Sequence, residues 1–518
     1  MRRRAALLGA CLLLAACQGA GHPAGSAPVR VEAAPAPSSP VTAPTGRTAQ
    51  QVEEARPGTP SWRLLHRDVA TDAQLSAFAD HVSVLPGTPV RLFSSSTAPS
   101  FVVRAYRMGW YGGARAREVW HSAAIAGRTQ SARVVSAATG AVSVHWTPTL
   151  TVPTTGWVPG MYLLRFDTSV GTKRFVPLVV RSASTRGAVV LVSAVNTWQA
   201  YNTWGSRDLY RGDDGARRSR SRAVSFDRPW YGNGAEKYSS YEDGLVHEAA
   251  HLGVPLAYET DLELDHDPHL LDGARGVVTM GHSEYWTPAM MAHLKAARDR
   301  GTNLAFLGAN TAYWRVRYAP TALGTDRLMI GYKSVDDPIR ATHPEQTTVR
   351  FRDSPVPVPE NTLTGELYEC FPAQGDFVVS DPSFFLFAGT GVARGSRVTG
   401  LIGPEADRAY PIVSTPHPLQ VVADSPTRCG THSTRSTASY YSTPSGAGVF
   451  TVGTMRWITG LRGSLPKVGF DASGQRFVRA VTDNLLRAMS GGPMGRSHPA
   501  RDNLAAHHLG ATNTTGAA

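Results

Sequence analysis

The stretch GVVTMGHSEYWTPAMMAHLKAARDRGTNLAFLGANT, residues 276–311, decides the fold. Gly276–Met280 is a continuous apolar run, as a strand buried on both faces requires. Pro288–Arg300 reads as a helix, and Asn303–Leu307 is another buried strand. Strand, helix, strand at this spacing means parallel strands joined by a crossover helix. Working outward, Ala188–Val195 is a further buried run, Leu245–Leu252 has helical spacing and Leu256–Tyr258 is apolar. Gly448–Thr454 reads as one more strand, and Gln475–Met489 as an amphipathic helix that closes the layer. The α/β region therefore spans residues 186–490. Residues 345–445 are short-stranded and rich in Gly and Pro, which predicts a β-rich insertion within it.

The preceding region, residues 62–183, has a different texture. Val90–Phe93, Phe101–Tyr106, Ala141–Trp146, Met161–Phe166 and Phe175–Val180 are strand-like runs separated by Gly, Pro and Thr. That spacing predicts an all-β sandwich, so the fold class is α/β plus all-β. Residues 17–60, with APAPSSPVTAPT, read as a disordered Ala/Pro/Ser linker, and residues 491–518 as a disordered tail.

With 42% hydrophobic and 18% charged residues among 518, the chain is not of the disordered class. The net charge of +12 is spread along the chain, so no nucleic-acid footprint is read from it. After the N-terminus no apolar stretch is long enough to span a bilayer. Arg2, Arg3 and Arg4 precede the apolar run Ala5–Ala16, and Leu14-Ala15-Ala16-Cys17 resembles a bacterial lipobox. This predicts a signal peptide over residues 1–16, lipid on Cys17, and attachment to the extracytoplasmic face of the cell membrane. Cys370 and Cys429 are then the two thiols left, and an exported protein makes a disulfide between them the default.

In open parallel sheets, ligands bind beyond the carboxyl ends of the strands. That rule points at three loops: Asn196–Asn202, Gly281–Trp286 and Gly308–Thr311. Each is dense in polar and aromatic groups, where a plain connection needs only turn residues. Asn196, Asn202, Asn310 and Thr311 are each explained by capping alone. A Tyr, a His, a Glu and an Asn converging at one sheet edge are harder to explain that way.

The phrases SAVNTWQAYNTWGSRDLY, SFDRPW, GHSEYW, GANT and GTGVARGSRVTGLIGPEAD resemble the large-subunit family of N,N-dimethylformamidase. SFVVRAYRMGWYGG and WVPGMY resemble the β-sandwich that precedes that family's α/β domain. The resemblance covers about residues 62–490. It implies an Ig-like β-sandwich followed by a glutamine-amidotransferase-like (flavodoxin-like) domain. It also implies hydrolysis of a small linear amide at one iron ion, held by two tyrosines and a glutamate. Glu284 matches the glutamate, Tyr201 the first tyrosine and Tyr210 the second, with Tyr238 and Tyr241 as alternatives for the second. His282 and Asn310 match the polar groups that flank the metal and would carry catalysis.

The chemistry is coherent. A free phenol has a pKa of about 10, but a hard ferric ion deprotonates and binds phenolates. Such an ion would polarise an amide carbonyl and acidify water. His282 would shuttle the proton and Asn310 would hold the carbonyl oxygen or water.

Other readings compete. His247-Glu248-Ala249-Ala250-His251 is a formal zinc-protease pattern, with both histidines on the helix face opposite Leu245, Ala249 and Leu252, but no third ligand is marked. Gly281-His282-Ser283-Glu284-Tyr285 approximates a nucleophile elbow, with Tyr285 where Gly is wanted. Arg217, Arg218, Arg220 and Arg222 read as a solvated loop. A surface-binding protein of the same fold without turnover is the remaining alternative. The expected partners are a small amide and, through lipid, the membrane; self-association into a homo-oligomer is left open.

The anchor reading predicts that Cys17→Ser moves the protein from the membrane fraction to the medium. Wild-type protein that is already soluble in the medium would refute it.

Overall fold

The computed structural model describes residues 47–513. The expected signal peptide and the lipid site Cys17 lie outside the described residues. The fold is mixed, part α/β and part β-rich. A nine-stranded sheet forms its centre. Leu256–Thr260, Val189–Ser193, Gly276–Met280, Asn303–Leu307 and Gly448–Thr451 run parallel. Counted along the chain their order is 2-1-3-4-5. The sheet then continues antiparallel through His432–Ser442, Leu419–Cys429, Ala373–Val378 and Arg397–Ile402.

Alternation along the parallel strands sends side chains to two cores. Val189 and Leu191 join Leu245, Val481 and Leu485 in one. Val190 and Val192 join Met290 and Leu294 in the other. The first face is covered by helices Asp243–Leu252, Arg456–Arg462 and Ala472–Gly491. The second is covered by Asp261–His266 and Pro288–Asp299. These strands can be continuously apolar because neither face meets water.

The N-terminal region is built from two largely antiparallel sheets. Leu75–Ala79, Val90–Ser96 and Leu150–Val152 form one sheet. Ser100–Met108, Ala116–His121, Gly160–Thr168 and Lys173–Val180 form most of a second, six-stranded one.

Three segments differ from expectation. Asn196–Asn202 is not a plain loop, since Val195–Ala200 is a short helix buried along its whole length. Within the expected linker 17–60, Ala49–Glu54 is a helix capped by Thr48. Its Glu53 pairs with Arg117 at 2.6 Å, and Gln50 and Gln51 each donate at 2.9 Å to the carbonyls of Leu256 and Gly253. Composition alone misses this turn, because ion pairs and hydrogen bonds rather than apolar surface hold it.

Residues 491–513 of the expected disordered tail are docked. The Asn303 side chain accepts from Met494 N at 2.8 Å and donates to the Gly492 carbonyl at 2.7 Å. Asn503 pairs with both backbone groups of Val421. Small polar residues are enough here because asparagine side chains, Asn303 from the sheet and Asn503 from the tail, satisfy the backbone groups that meet there.

Cys370 and Cys429 form a disulfide across a sequence separation of 59. A loop of that size contributes about 4 kcal/mol in the chain-entropy model. Native alkylation should label neither thiol, and the double variant Cys370→Ser, Cys429→Ser should lose about 2–4 kcal/mol in denaturant unfolding. Full alkylation of both thiols before unfolding would contradict the bond.

Candidate functional site

The site is built where the parallel strands end. After Gly276–Met280 the chain turns at Gly281, which has φ of 55°. After Asn303–Leu307 it turns at Gly308. A Cβ on Gly308 would stand 1.8 Å from the Gly281 carbonyl oxygen, so the two turns touch backbone to backbone. Ala312 N then donates to the Ser283 carbonyl at 2.9 Å, and Tyr313 and Trp314 N both donate to the Glu284 carbonyl, at 3.0 and 2.9 Å. Glu284 N donates to Thr197 Oγ1 at 2.9 Å. Tyr285–Trp286 pairs in parallel with Trp314–Arg315. Glu284 is thus clamped by its own main chain.

Tyr201 caps the helix Val195–Ala200. Tyr210 follows a loop ordered by two buried side chains. Asp208 Oδ1 accepts from the backbone of Tyr210 and Arg211 at 2.6 and 2.7 Å. Arg228, from the SFDRPW phrase, donates to the carbonyls of Gln199 and Arg207 at 3.1 and 2.8 Å. Burial pushes the Arg228 pKa down to about 10, still far above neutrality, so it remains a cation on those carbonyls.

These segments bring the expected residues together. Tyr201 hydroxyl donates to Glu284 Oε2 and Tyr210 hydroxyl to Oε1, each at 2.7 Å. The two phenol oxygens are themselves 2.7 Å apart, and the rings stack at 4.5 Å. His282 Nε2 lies 3.2 Å from Glu284 Oε2. Asn310 occupies the left-handed region, φ 60°, with its backbone N–H on Asp407 at 2.8 Å and its side-chain oxygen buried without a partner. Glu284 and His282 are buried, while Tyr201 and Tyr210 keep some exposed surface.

Several neighbours of the cluster carry no signal that spacing or periodicity reveals. Glu405 sits 3.6 Å from His282 Nε2 as a second buried carboxylate. Tyr285 hydroxyl donates to the Tyr210 hydroxyl at 2.6 Å. Lys237 Nζ lies 3.9 Å over the Tyr201 ring and Lys333 Nζ 3.4 Å over the Tyr210 ring. Glu405 and Tyr285 do fall within quoted phrases, GLIGPEAD and GHSEYW, and those phrases are the signal that would have found them. For Lys333 there is none.

Electrostatics follow from burial and from the charges gathered here. Burial raises the Tyr201, Tyr210 and Tyr285 phenols well above their ordinary range, and the Glu284 charge adds to it. Burial also works to raise Glu284, but His282, Lys333 and the Tyr210 hydroxyl outweigh it and hold the carboxyl low. Glu405 is raised, by burial first and by Glu284 next. Burial pushes Lys333 down to about 7.

The alternatives do not assemble a comparable centre. Tyr238 packs against Trp198, and Tyr241 packs against the His282 ring, so neither joins the Tyr201–Tyr210–Glu284 cluster. His247 does not lie on a solvent-facing side. It is buried, its Nδ1 is 3.1 Å from the Gly109 carbonyl, and both it and His251 lean on Trp110. Among the described residues no group of three or more His, Cys, Asp or Glu is placed to hold a metal. Ser283 Oγ accepts from the Trp286 indole at 2.8 Å and is buried. Arg217 and Arg218 are exposed, as expected of a solvated loop, whereas Arg220 is partly buried and donates to the Tyr332 carbonyl at 3.1 Å.

A protein-family model described as N,N-dimethylformamidase beta subunit-like, C-terminal, matches residues 102–471. No curated protein matches the chain. Among solved structures, a cycloisomaltooligosaccharide glucanotransferase from Paenibacillus sp., complexed with cycloisomaltoheptaose, aligns over 70% of this chain and 69% of its own. Identity is 9% and the TM-score 0.17, too low for that likeness to inform fold or function.

The backbone contact between the two turns generates a test. Gly308→Ala should lose about 1–3 kcal/mol in denaturant unfolding through overpacking. Gly491→Ala, at a helical position with nothing within 4 Å, should be neutral or slightly stabilising. Equal stability of the two variants would contradict the contact.

Proposed function

Because the chain belongs to the N,N-dimethylformamidase beta subunit-like family, as its C-terminal family model describes, we propose that it is a metal-dependent hydrolase of small linear amides. The observation that carries this reading is the convergence of two phenol oxygens and one carboxylate on one another, each pair 2.7 Å apart. That is a set of hard oxygen donors, fitted to a hard, highly charged cation such as iron rather than to zinc, which favours nitrogen and sulfur. His282 Nδ1 and Asn310 Oδ1 are buried without a hydrogen-bond partner, as expected where a substrate or ion completes the bonding. In this reading Tyr201, Tyr210 and Glu284 would hold the iron, which would supply Lewis acidity toward an amide carbonyl and a water.

The chain's own groups do the rest. The Asn310 side-chain N–H donates to the carbonyl oxygen as negative charge develops on it. His282 stands between Glu284 and Glu405, so its ring holds a proton between two carboxylates and delivers it to the departing amine. Lys237 and, in its protonated form, Lys333 lie over the faces of the two phenol rings and bring positive charge against them.

The 2-1-3-4-5 order of parallel strands supports a flavodoxin-like, glutamine-amidotransferase-like layer, with the site at the strand ends that such folds use. The two largely antiparallel sheets before it support an Ig-like sandwich. With Cys17 lipidated, the enzyme would work on the outer face of the cytoplasmic membrane.

Elemental analysis of the purified chain should find iron, and charge transfer from phenolate to ferric ion should colour the protein. Glu284→Ala should lose both metal and colour, since one of three ligands and their only carboxylate is gone. The double variant His247→Ala, His251→Ala should keep both. His282→Ala should keep the metal while turnover of a simple formamide falls about 10²–10⁴-fold. Zinc that is lost only in the histidine double variant would reject the reading in favour of the His247/His251 site. A metal content near zero in wild type and variants alike would favour a binding protein without turnover.

A further inference from the structure

A cavity of about 550 Å³ opens between the six-stranded sheet, the start of the helix Asp243–Leu252 and the end of the helix Arg456–Arg462. None of the residues that line it belongs to the Tyr201–Tyr210–Glu284 cluster. Its size falls within the range of small-molecule sites. Its charge is unbalanced.

Arg63, Arg115 and Arg462 reach the lining, and Asp243 is its one carboxylate. Arg115 pairs with Asp243 at 2.7 Å and Arg462 reaches the same oxygen at 3.4 Å. A single carboxylate thus serves two guanidiniums. The third, on Arg63, is exposed and lies 5.4 Å from the Trp62 ring centroid instead of against an acid. Asn233 and Ser239 add neutral hydrogen-bonding groups beside this charge.

We propose that this cavity binds a small anion, a molecule with a carboxylate or phosphate group on a polar body. Guanidinium forks match both groups, two parallel N–H donors to two oxygens. An anion seated between Arg63 and Arg462 would neutralise the excess that Asp243 leaves, and the Trp62 indole would offer an apolar wall to the rest of the molecule. The cavity is also one helix away from the oxygen cluster. Ser239 lines it, while Lys237 of the same short helix, Glu236–Tyr241, sits over the Tyr201 ring.

The test is calorimetric titration of the whole chain at low ionic strength with inorganic phosphate and, separately, with malonate. Saturable binding of one molecule per chain is expected for at least one of them. Binding of phosphate alone assigns a phosphate ester, and of malonate alone a carboxylate. The double variant Arg63→Gln, Arg462→Gln should weaken binding about tenfold or more, as loss of hydrogen bonds to a charged group implies. Arg218→Gln, at a side chain 84% exposed and outside the cavity, should bind as wild type does. If the double variant does not fold, Arg63→Gln alone carries the test, since that side chain is exposed. Absence of saturable binding for both anions, or binding that the cavity variants leave unchanged, would overturn the proposal.

Discussion

The Glu284 carboxylate is the point on which the structure turns. A carboxylate buried in protein is costly unless hydrogen bonds and charge replace its water. Here both oxygens are answered, one by Tyr201 and one by Tyr210, with His282 alongside. That arrangement forces three separate segments to meet within hydrogen-bond distance, and each brings its own support. The Glu284 turn rests on the 308–314 segment through main-chain bonds. The Tyr201 and Tyr210 segments are tied to each other through Arg228 and Asp208. The parallel sheet is the rigid frame that sets these three segments at one edge.

Much of this frame was legible in the sequence because it depends on local pattern. Continuous apolar runs found the parallel strands, and the strand-end rule pointed to the loops that hold Tyr201, Glu284 and Asn310. What stayed hidden depends on contacts between distant segments. Glu405 arrives at His282 from a β-rich excursion, and nothing in its neighbours fixes which way it faces. Lys333 reaches Tyr210 from beyond an antiparallel pair, again without a spacing that announces it. Periodicity put His247 on the polar side of its helix, which is right for the helix alone. It could not show that Trp110 of the preceding β region covers that side. The same holds for residues 47–60 and 491–513, whose order comes from ion pairs and backbone bonds to partners far along the chain.

Two partly buried lysines show how charge is distributed around a site without being part of a donor set. Each lies over a ring face rather than at the end of a carboxylate. In that position a cation acts on the ring as a whole and leaves the Glu284 oxygens to the hydroxyls. Positive charge is thereby brought close to the oxygen cluster without competing for its hydrogen bonds.

The capped helix Ala49–Glu54 has a mechanical meaning. Its glutamates grip Arg107 and Arg117 of the β region, while its glutamines grip the backbone just before and at the start of the Leu256–Thr260 strand. A pull on the chain from upstream would therefore enter at this stitched seam and divide between two load paths, one into each region. Tension would be borne by several bonds strained together, and the edge that carries Glu284 would stand outside the line of force.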